Sequence, residues 1–295
     1  MQKIAQDVYH IPLMPRNSIN CYIIEGVLID SGIKASYKKI KKCVNEVPIH
    51  SHALTHAHPD HQGCSDIICQ EFKVPLYCHE KEVSRTESGF ATKDYPSNTN
   101  VIARFQQKYW AGSGHNVSKT LKNEDSVGNF RVIETPGHSS GHISFFREKD
   151  GVLIMGDVAT NMNLLTTIKG LHLPPNLFTS DKLENINSLI KLSELNPKII
   201  CFGHGPVLNN SNKTFEKVDE PKDTTVRQQE VAVSSDNKFN PFGFLNFDNY
   251  EEFQKNSKDF FNQDEELAVI QLQKLLGENY IIEQSNPSVK DFFTK

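Results

Sequence analysis

The sequence predicts an α/β protein in which two β-sheets are covered on their outer faces by helices. The first observation behind this prediction is that strand-like and helix-like segments alternate twice between the N-terminus and Pro206. The second is that each half holds a pair of strands joined by a tight turn, at Glu25-Gly26 in one half and at Asp150-Gly151 in the other. No segment repeats at a fixed period.

The elements of the first half follow from hydrophobic spacing. In chain order, we expect strands over residues 7–12, 20–24 and 27–30, a surface helix over 35–47, a strand ending near Thr55, a short helix over 64–72 and a strand over 74–78. The helix over 35–47 is predicted because Ile40, Val44 and Val47 recur at helical spacing, which leaves its many lysines in solvent.

Residues 80–126 differ in character from the segments on either side. They are polar, lack clear periodicity and contain the single tryptophan, Trp110. Two interpretations stay open: a lid that contacts substrate, or a local core around Tyr109 and Trp110.

Strand periodicity returns in the second half. Strands are predicted over residues 130–134, 142–146, 152–155 and 198–202, with a loop over 161–180 and a helix over 182–195. Either Ser180 or Asp181 is expected to cap that helix.

Composition describes an ordinary protein with room for a sizeable core. The 295 residues are 37% hydrophobic and 23% charged, which fits one large domain or two modest ones. No apolar stretch resembles a signal peptide or a membrane span, so we expect a cytoplasmic protein without membrane contact. The six cysteines show no C-x-x-C spacing and are expected to be reduced and buried.

The chain divides by charge near residue 212. Residues 213–295 hold ten Lys and Arg against sixteen Asp and Glu, a net charge of −6, which leaves +2 for residues 1–212. We predict a catalytic domain over 1–212 and an acidic, partly helical and partly flexible extension over 213–295. The extension either folds back over the domain or offers a protein contact. Neither part carries the basic surplus expected of a nucleic-acid binder.

One short stretch concentrates residues that bind metals. His56, His58, Asp60 and His61 fall within six residues, directly after the strand that ends near Thr55. On extended backbone the first two histidines point to the same side, and a bend at the intervening proline turns the other two toward a second position close by. A polar loop rich in histidine is the plainer alternative, but burying four such groups together without a metal would cost free energy.

Three later polar residues follow apolar strands and are flanked by glycine: His138, Asp157 and His204. Strand ends that gather along one rim of a sheet bring distant residues together and hold them rigidly. Three remote ligands and four local ones make seven, enough for two ions, and one carboxylate can bridge them.

These motifs resemble the metallo-β-lactamase-fold hydrolase superfamily over about residues 1–210. The resemblance rests on His-Ala-His-Pro-Asp-His at 56–61, Thr-Pro-Gly-His at 135–138, Gly-Asp at 156–157 and Gly-His-Gly-Pro at 203–206. It implies an αββα sandwich of two mixed β-sheets flanked by helices. It further implies a first ion on His56, His58 and His138, a second on Asp60, His61 and His204, and Asp157 as the bridge.

The same resemblance implies the cofactor and two supporting residues. Two divalent ions are expected, with zinc favoured by the histidine-rich set, while the carboxylates also admit iron or manganese. Asp30 matches the family's early aspartate behind the metal loop, or it only forms a turn. His142 is not needed as a ligand and either packs in the core or contacts the ligands from behind.

Differences within the family narrow the expected function. True dizinc β-lactamases carry Cys or Ser where this chain has Asp157, and many replace the histidine that stands here as His61. Flavodiiron oxygen reductases place Glu at the position of His58. The resemblance therefore favours glyoxalase II, lactonases or small bacterial hydrolases that share the Gly-His-Gly-Pro motif, although the tail shows no basic cluster for glutathione.

The expected chemistry is hydrolysis. Water shared between two divalent ions has a pKa of about 7, so hydroxide can attack an ester, thioester or lactone carbonyl of a small-molecule substrate. Asp60 is expected to orient that nucleophile as the catalytic carboxylate. The alternatives are a phosphodiesterase or nuclease of the same fold and a protein-binding module, although a purely structural metal site is typically closed by four ligands.

Overall fold

Two mixed β-sheets form the body of the protein in the computed structural model, which describes residues 1–164, 167 and 169–210. The first sheet has seven strands side by side in chain order. They are β1 (Gln2–Ala5), β2 (Val8–Pro12), β3 (Asn20–Ile24), β4 (Val27–Ile29), β5 (Ser51–Ala53), β6 (Leu76–His79) and β7 (Lys119–Leu121). Strands β1 to β4 pair antiparallel, and β4 to β7 pair parallel.

The second half of the chain supplies the remaining strands. They are β8 (Ser126–Val127), β9 (Phe130–Glu134), β10 (Ile143–Arg147), β11 (Val152–Gly156), β12 (Thr160–Met162), β13 (Lys169–His172), β14 (Ile199–Phe202) and β15 (Leu208–Asn209). Six of them form the second sheet in the order β15-β14-β11-β10-β9-β8, in which only β11 and β14 are parallel neighbours. Strands β12 and β13 form a separate two-stranded hairpin.

Six α-helices are present among the described residues. They are α1 (Tyr37–Glu46), α2 (Pro59–Gln62), α3 (Ser65–Phe72), α4 (Val83–Ser88), α5 (Val101–Tyr109) and α6 (Lys182–Ser193). Helix α6 begins where the side chain of Asp181 accepts the Glu184 backbone N–H at 2.9 Å, so Asp181 is the cap and Ser180 is not.

The core lies between the two sheets and continues under the helices. Inward-facing residues of both sheets meet in one cluster, which includes Val8, Tyr22, Ile24, Ile29, Phe130, Val132, Phe145 and Ile154. On the other face of the second sheet, Leu153 and Ile200 pack under Leu189 and Leu192 of α6. Because β11 is buried on both faces, it is a continuous apolar run, whereas the equally buried β10 also contains Ser144 and Arg147. The predicted αββα sandwich is confirmed.

Two predicted details are also confirmed, namely the two hairpin turns and the state of the cysteines. The turns at Glu25-Gly26 and Asp150-Gly151 join antiparallel strands. All six cysteines are buried and unbridged. Within the described ranges, no helix is both long and apolar enough to cross a membrane. The predicted extension over 213–295, with its expected helical part, lies outside the described residues.

Some elements were not predicted. Strand β1 is an edge strand with no fully buried residue, so it lacks the apolar alternation that marks a strand. The hairpin of β12 and β13 begins at Thr160 and otherwise lies within the predicted loop 161–180. Helices α4 and α5 lie within 80–126. In the same segment, the ring of Phe105 contacts two others, and its centroid lies 5.0 Å from that of Tyr109 and 6.2 Å from that of Trp110. That segment therefore has regular structure and a small aromatic cluster.

Candidate metal centre

Strand ends deliver all seven predicted ligands to one rim of the sandwich. His56 to His61 follow β5 and run into α2, His138 follows β9, Asp157 directly follows β11, and His204 follows β14. Pro59 begins α2, where its missing N–H costs no hydrogen bond. The structure brings the local motif and the three remote residues together in one pocket.

His56, His58 and His138 form the first group. One ligand atom from each lies within 4.8 Å of the others, and all three side chains are buried. The Nε2 atoms of His56 and His138 have no hydrogen-bond partner within the described structure. Burial lowers the pKa of His58 to about 3 and holds those of His56 and His138 well below the usual value. The three imidazoles are therefore neutral, the form that binds a metal.

Asp60, His61 and His204 form the second group, again with ligand atoms within 4.8 Å. Nε2 of His204 lies 3.3 Å from Oδ2 of Asp60. Burial works against charge on His204, but the carboxylates of Asp157 and Asp60 outweigh it and raise its pKa to about 10. Burial likewise opposes charge on His61, and the nearby carboxylates, Asp157 above all, hold its pKa well above the usual value.

Asp157 lies between the two groups. Its Oδ2 is 2.9 Å from Nε2 of His204, 3.3 Å from Nε2 of His61 and 3.6 Å from Nε2 of His138. Its Oδ1 is buried without a hydrogen-bond partner in the part of the chain that the structure describes. Gly203 makes room for this carboxylate, because a Cβ there would lie 2.0 Å from Oδ1. Asp157 therefore contacts histidines of both groups.

Asp30 supports the metal loop from behind. Its Oδ2 accepts hydrogen bonds from Nδ1–H of His61 and from the Thr55 hydroxyl, and its Oδ1 accepts the Thr55 backbone N–H, each at 2.8 Å. This directs the other nitrogen of His61 into the pocket. The backbone of Asp30 has φ of +58°, so the residue also turns the chain.

The Thr55 hydroxyl also sets the tautomer of His56. Its hydrogen is donated to Asp30, so its oxygen accepts the proton on Nδ1 of His56 at 3.0 Å. Nε2 of His56 is then the unprotonated nitrogen, and it faces the pocket.

His142 holds the backbone that carries Asp157. Its Nε2 accepts the Asp157 backbone N–H at 3.0 Å, and its Nδ1 contacts the Thr135 hydroxyl at 2.8 Å. Both ring nitrogens are occupied, so His142 is not free to bind a metal. A Cβ at Gly156 would lie 2.5 Å from its Nε2, which explains the glycine before Asp157.

Sequence reasoning missed residues that position the ligands. Asn20 holds the strand end before His204, because its side-chain N–H groups donate to the carbonyls of Phe202 at 3.1 Å and Gly205 at 2.8 Å. Asp94 lies with its Oδ1 3.3 Å from Nε2 of His58. Nothing in the motifs points to either residue, since both lie outside the four segments that contain the ligands.

A separate polar cavity of about 480 Å³ lies at the opposite ends of the strands, where Gly26 precedes β4 and Asp150 precedes β11. Arg147 lines it and is paired with Glu25 at 2.8 Å and Asp150 at 2.7 Å. This arrangement joins the hairpin turns of the two sheets and leaves that guanidinium no free charge.

The chain is similar to a known protein superfamily and to two proteins of Bacillus subtilis. A model of the metallo-beta-lactamase superfamily matches residues 14–204, which include all seven gathered residues. The probable metallo-hydrolase YflN of Bacillus subtilis is 30% identical over 213 residues, covering 63% of this chain and 77% of YflN. The uncharacterized protein YobT of the same organism is 28% identical over 226 residues, covering 73% of this chain and 94% of YobT.

Solved structures show the same fold. The metallo-beta-lactamase family protein TTHA1429 of Thermus thermophilus superposes with a TM-score of 0.55 at 19% identity, covering 78% of this chain and 82% of that one. The B3 metallo-beta-lactamase BLEG-1 superposes with a TM-score of 0.53 at 27% identity, covering 68% of this chain and 93% of that one.

Proposed function

The chain belongs to the metallo-β-lactamase superfamily, and from this premise we propose that it is a dinuclear metal-dependent hydrolase that cleaves an ester, thioester or lactone bond in a small molecule. The family implies binding of divalent metal. The observation that carries the proposal is the gathering of five histidines and two aspartates in one buried pocket, with several of their ligand atoms left without partners among the described residues.

The two separate groups of ligand atoms support a pair of ions over a single one, and three carboxylates supply negative charge for them. Asp30, Asp60 and Asp157 face the histidines, and none of the three pairs with a Lys or Arg among the described residues. Within that part of the chain, the counter-charges in the metal-free pocket are protons on His61 and His204. Two divalent cations would replace those protons and also use the neutral histidines of the first group.

We assign the ligands by their grouping. His56, His58 and His138 would hold one ion, Asp60, His61 and His204 the other, and Asp157 would contribute to both. Imidazole nitrogen with carboxylate oxygen suits zinc, and the same set admits iron or manganese. When bound, two such ions supply a hydroxide at neutral pH and polarise a carbonyl oxygen.

We assign to Asp60 the role of orienting the nucleophilic water. Its side chain is 13% exposed, whereas that of His61 is fully buried, so Asp60 faces the opening of the pocket. It retains its negative charge despite burial, because the charge on His61 and a hydrogen bond with His204 lower its pKa. An ionised carboxylate at this place can accept a hydrogen bond from the attacking water and orient it.

A carbonyl substrate agrees with the surroundings of the pocket better than a phosphodiester does. His58 contacts Asp94, and Asp94 pairs with the guanidinium of Arg85. That guanidinium is buried and also pairs with Glu82. It is not available for a phosphate. On the same side, the Tyr95 ring packs against His58 with centroids 4.8 Å apart, and Phe178 packs against Tyr95 at 5.3 Å, which offers an apolar wall.

A turnover screen of the metal-loaded chain tests the proposal. The panel contains thioesters, lactones, bis(p-nitrophenyl) phosphate and a cephalosporin, the last because of the likeness to BLEG-1. We expect hydrolysis of a thioester or lactone that is lost on chelation and in Asp157→Ala. Turnover of the phosphodiester alone would instead identify a phosphodiesterase, and absence of any bound transition metal would contradict a metallohydrolase of either kind.

A further inference from the structure

A buried charged cluster lies behind the first group of ligands. Glu82 and Arg85 are buried side chains, and Asp94 is 17% exposed. Removing such charges from water is costly unless partners compensate. All three come from the segment that separates β6 from β7, outside the ligand motifs. We call them the Glu82–Arg85–Asp94 cluster.

Glu82 joins the two loops that carry the first group. Its Oε2 accepts the backbone N–H of Ala57, the residue between His56 and His58, at 2.8 Å. Its Oε1 accepts the backbone N–H of Gly141 at 2.8 Å, in the loop that follows His138. One carboxylate therefore fixes the backbone on both sides of the pocket.

Arg85 connects Glu82 to Asp94. The guanidinium pairs with both carboxylates and also donates to the Ser139 hydroxyl at 2.7 Å. Ser139 in turn donates to Glu82. The planar guanidinium suits such a site, because it presents several N–H donors in fixed directions.

Asp94 reaches the ligand itself. Its Oδ1 lies 3.3 Å from Nε2 of His58, and its backbone carbonyl accepts the Ser180 hydroxyl at 3.0 Å. A carboxylate beside Nε2 accepts the proton on that nitrogen and leaves Nδ1 as the ligand atom. His56 and His138 are oriented differently, since the Nδ1 atoms of both contact threonine hydroxyls.

Building on the proposed function, we propose that Asp94 is a positioning residue for the first ion. It orients His58 through the contact with Nε2, so that Nδ1 faces the ion, while Arg85 and Glu82 hold Asp94 and the two ligand loops in place. The second ion has its own supporting carboxylate, Asp30. The Glu82–Arg85–Asp94 cluster therefore acts on one ion of the pair and not on the other.

Titration of Co²⁺ into the metal-free full chain tests this assignment, because calorimetry and visible absorption can separate two binding steps. In Asp94→Ala, we expect one step to weaken by about 10- to 100-fold while the other stays as in the wild type. Asp94→Asn retains a hydrogen-bond acceptor without the charge, so its affinity at the weakened step should lie between those of the wild type and Asp94→Ala. Asp66→Asn is the matched control, since Asp66 of α3 also contacts an imidazole, that of His115 at 2.9 Å, and neither residue is among the seven proposed ligands. It should bind both ions as the wild type does.

The outcomes are distinguishable. If the wild type binds two ions and Asp94→Ala binds both with unchanged affinity, or loses both steps equally with intact circular dichroism, the positioning role is wrong and the proposed function stands. If the wild type itself binds no cobalt, the proposed function fails first. If Asp94→Glu binds cobalt more tightly at the weakened step than Asp94→Ala does, the result would support a specific carboxylate contact over a general loss of packing.

Discussion

Oδ2 of Asp157 lies 2.9 Å from Nε2 of His204, although the two residues follow different strands, β11 and β14. These strands are parallel neighbours, so their carboxyl ends meet at the same rim. In the metal-free protein this contact is an ion pair, because the carboxylate raises the pKa of His204 to about 10. A metal ion that binds here must displace that proton.

Metal binding is therefore expected to release protons at neutral pH. His61 and His204 are protonated near pH 7 without metal, since their pKa values lie above the usual range. Loading the second group should release about two protons, and affinity should increase with pH. Calorimetry in buffers of different ionisation enthalpy measures the number released. A binding enthalpy that is the same in every buffer would show that these histidines are already neutral.

The metal-loaded protein should lose stability as the pH falls below about 6.5. Burial lowers the pKa of His52 to about 4 and that of His142 to about 3, and neither is among the proposed ligands. Unfolded histidine binds a proton near pH 6.5, whereas these two stay neutral until the pH is much lower. The unfolded state therefore gains protons first, and the free energy of unfolding decreases.

Urea unfolding at pH 7, 6 and 5 measures this loss. Metal content is determined at each pH so that release of the ions is not mistaken for the effect of His52 and His142. Constant or rising stability over that range, with metal retained, would contradict the neutral buried state of these two histidines.

The sequence predicted most of what places the ligands. The apolar runs of β11 and β14 are visible because both faces of these strands are buried, and each glycine-flanked polar residue after a strand lies at the same rim. Glycine itself was informative: Gly203 leaves the space that Asp157 occupies.

What escaped prediction depends on contacts between distant segments. Glu82 lies in the charged run His79-Glu80-Lys81-Glu82, which has the composition of a solvated surface, yet Glu82 is fully buried by the loops of His56 and His138. Asp94 has no local pattern at all. Periodicity reports which face of an element is apolar, and it carries no information on which buried carboxylate meets which backbone N–H.

Asp30→Asn is expected to weaken the binding of the second ion. Asp30 accepts the Nδ1 proton of His61, and an amide at this place loses the charge and can present an N–H where an acceptor is needed. We expect a decrease in metal affinity of about 10- to 100-fold for one of two ions. Chelator competition measures it. If the variant binds each ion with the same affinity as the wild type does, Asp30 only turns the chain.

Gly203→Ala is expected to disturb the bridge more than the fold. The new Cβ would lie 2.0 Å from Oδ1 of Asp157, so the carboxylate must move away from its central position. Hydrolysis should fall by at least about 100-fold, as expected when a reacting group is displaced by an ångström. Circular dichroism serves as the control for folding. Wild-type turnover in a folded variant would mean that Asp157 does not need this position.

The most direct measurement of the central claim is the metal content of the purified chain and of Asp157→Ala, determined by elemental analysis alongside hydrolysis. We expect two transition-metal ions for each wild-type chain, and at most one ion without hydrolysis for the variant. A wild-type chain without bound transition metal, or an Asp157→Ala chain with two ions and full activity, would contradict it.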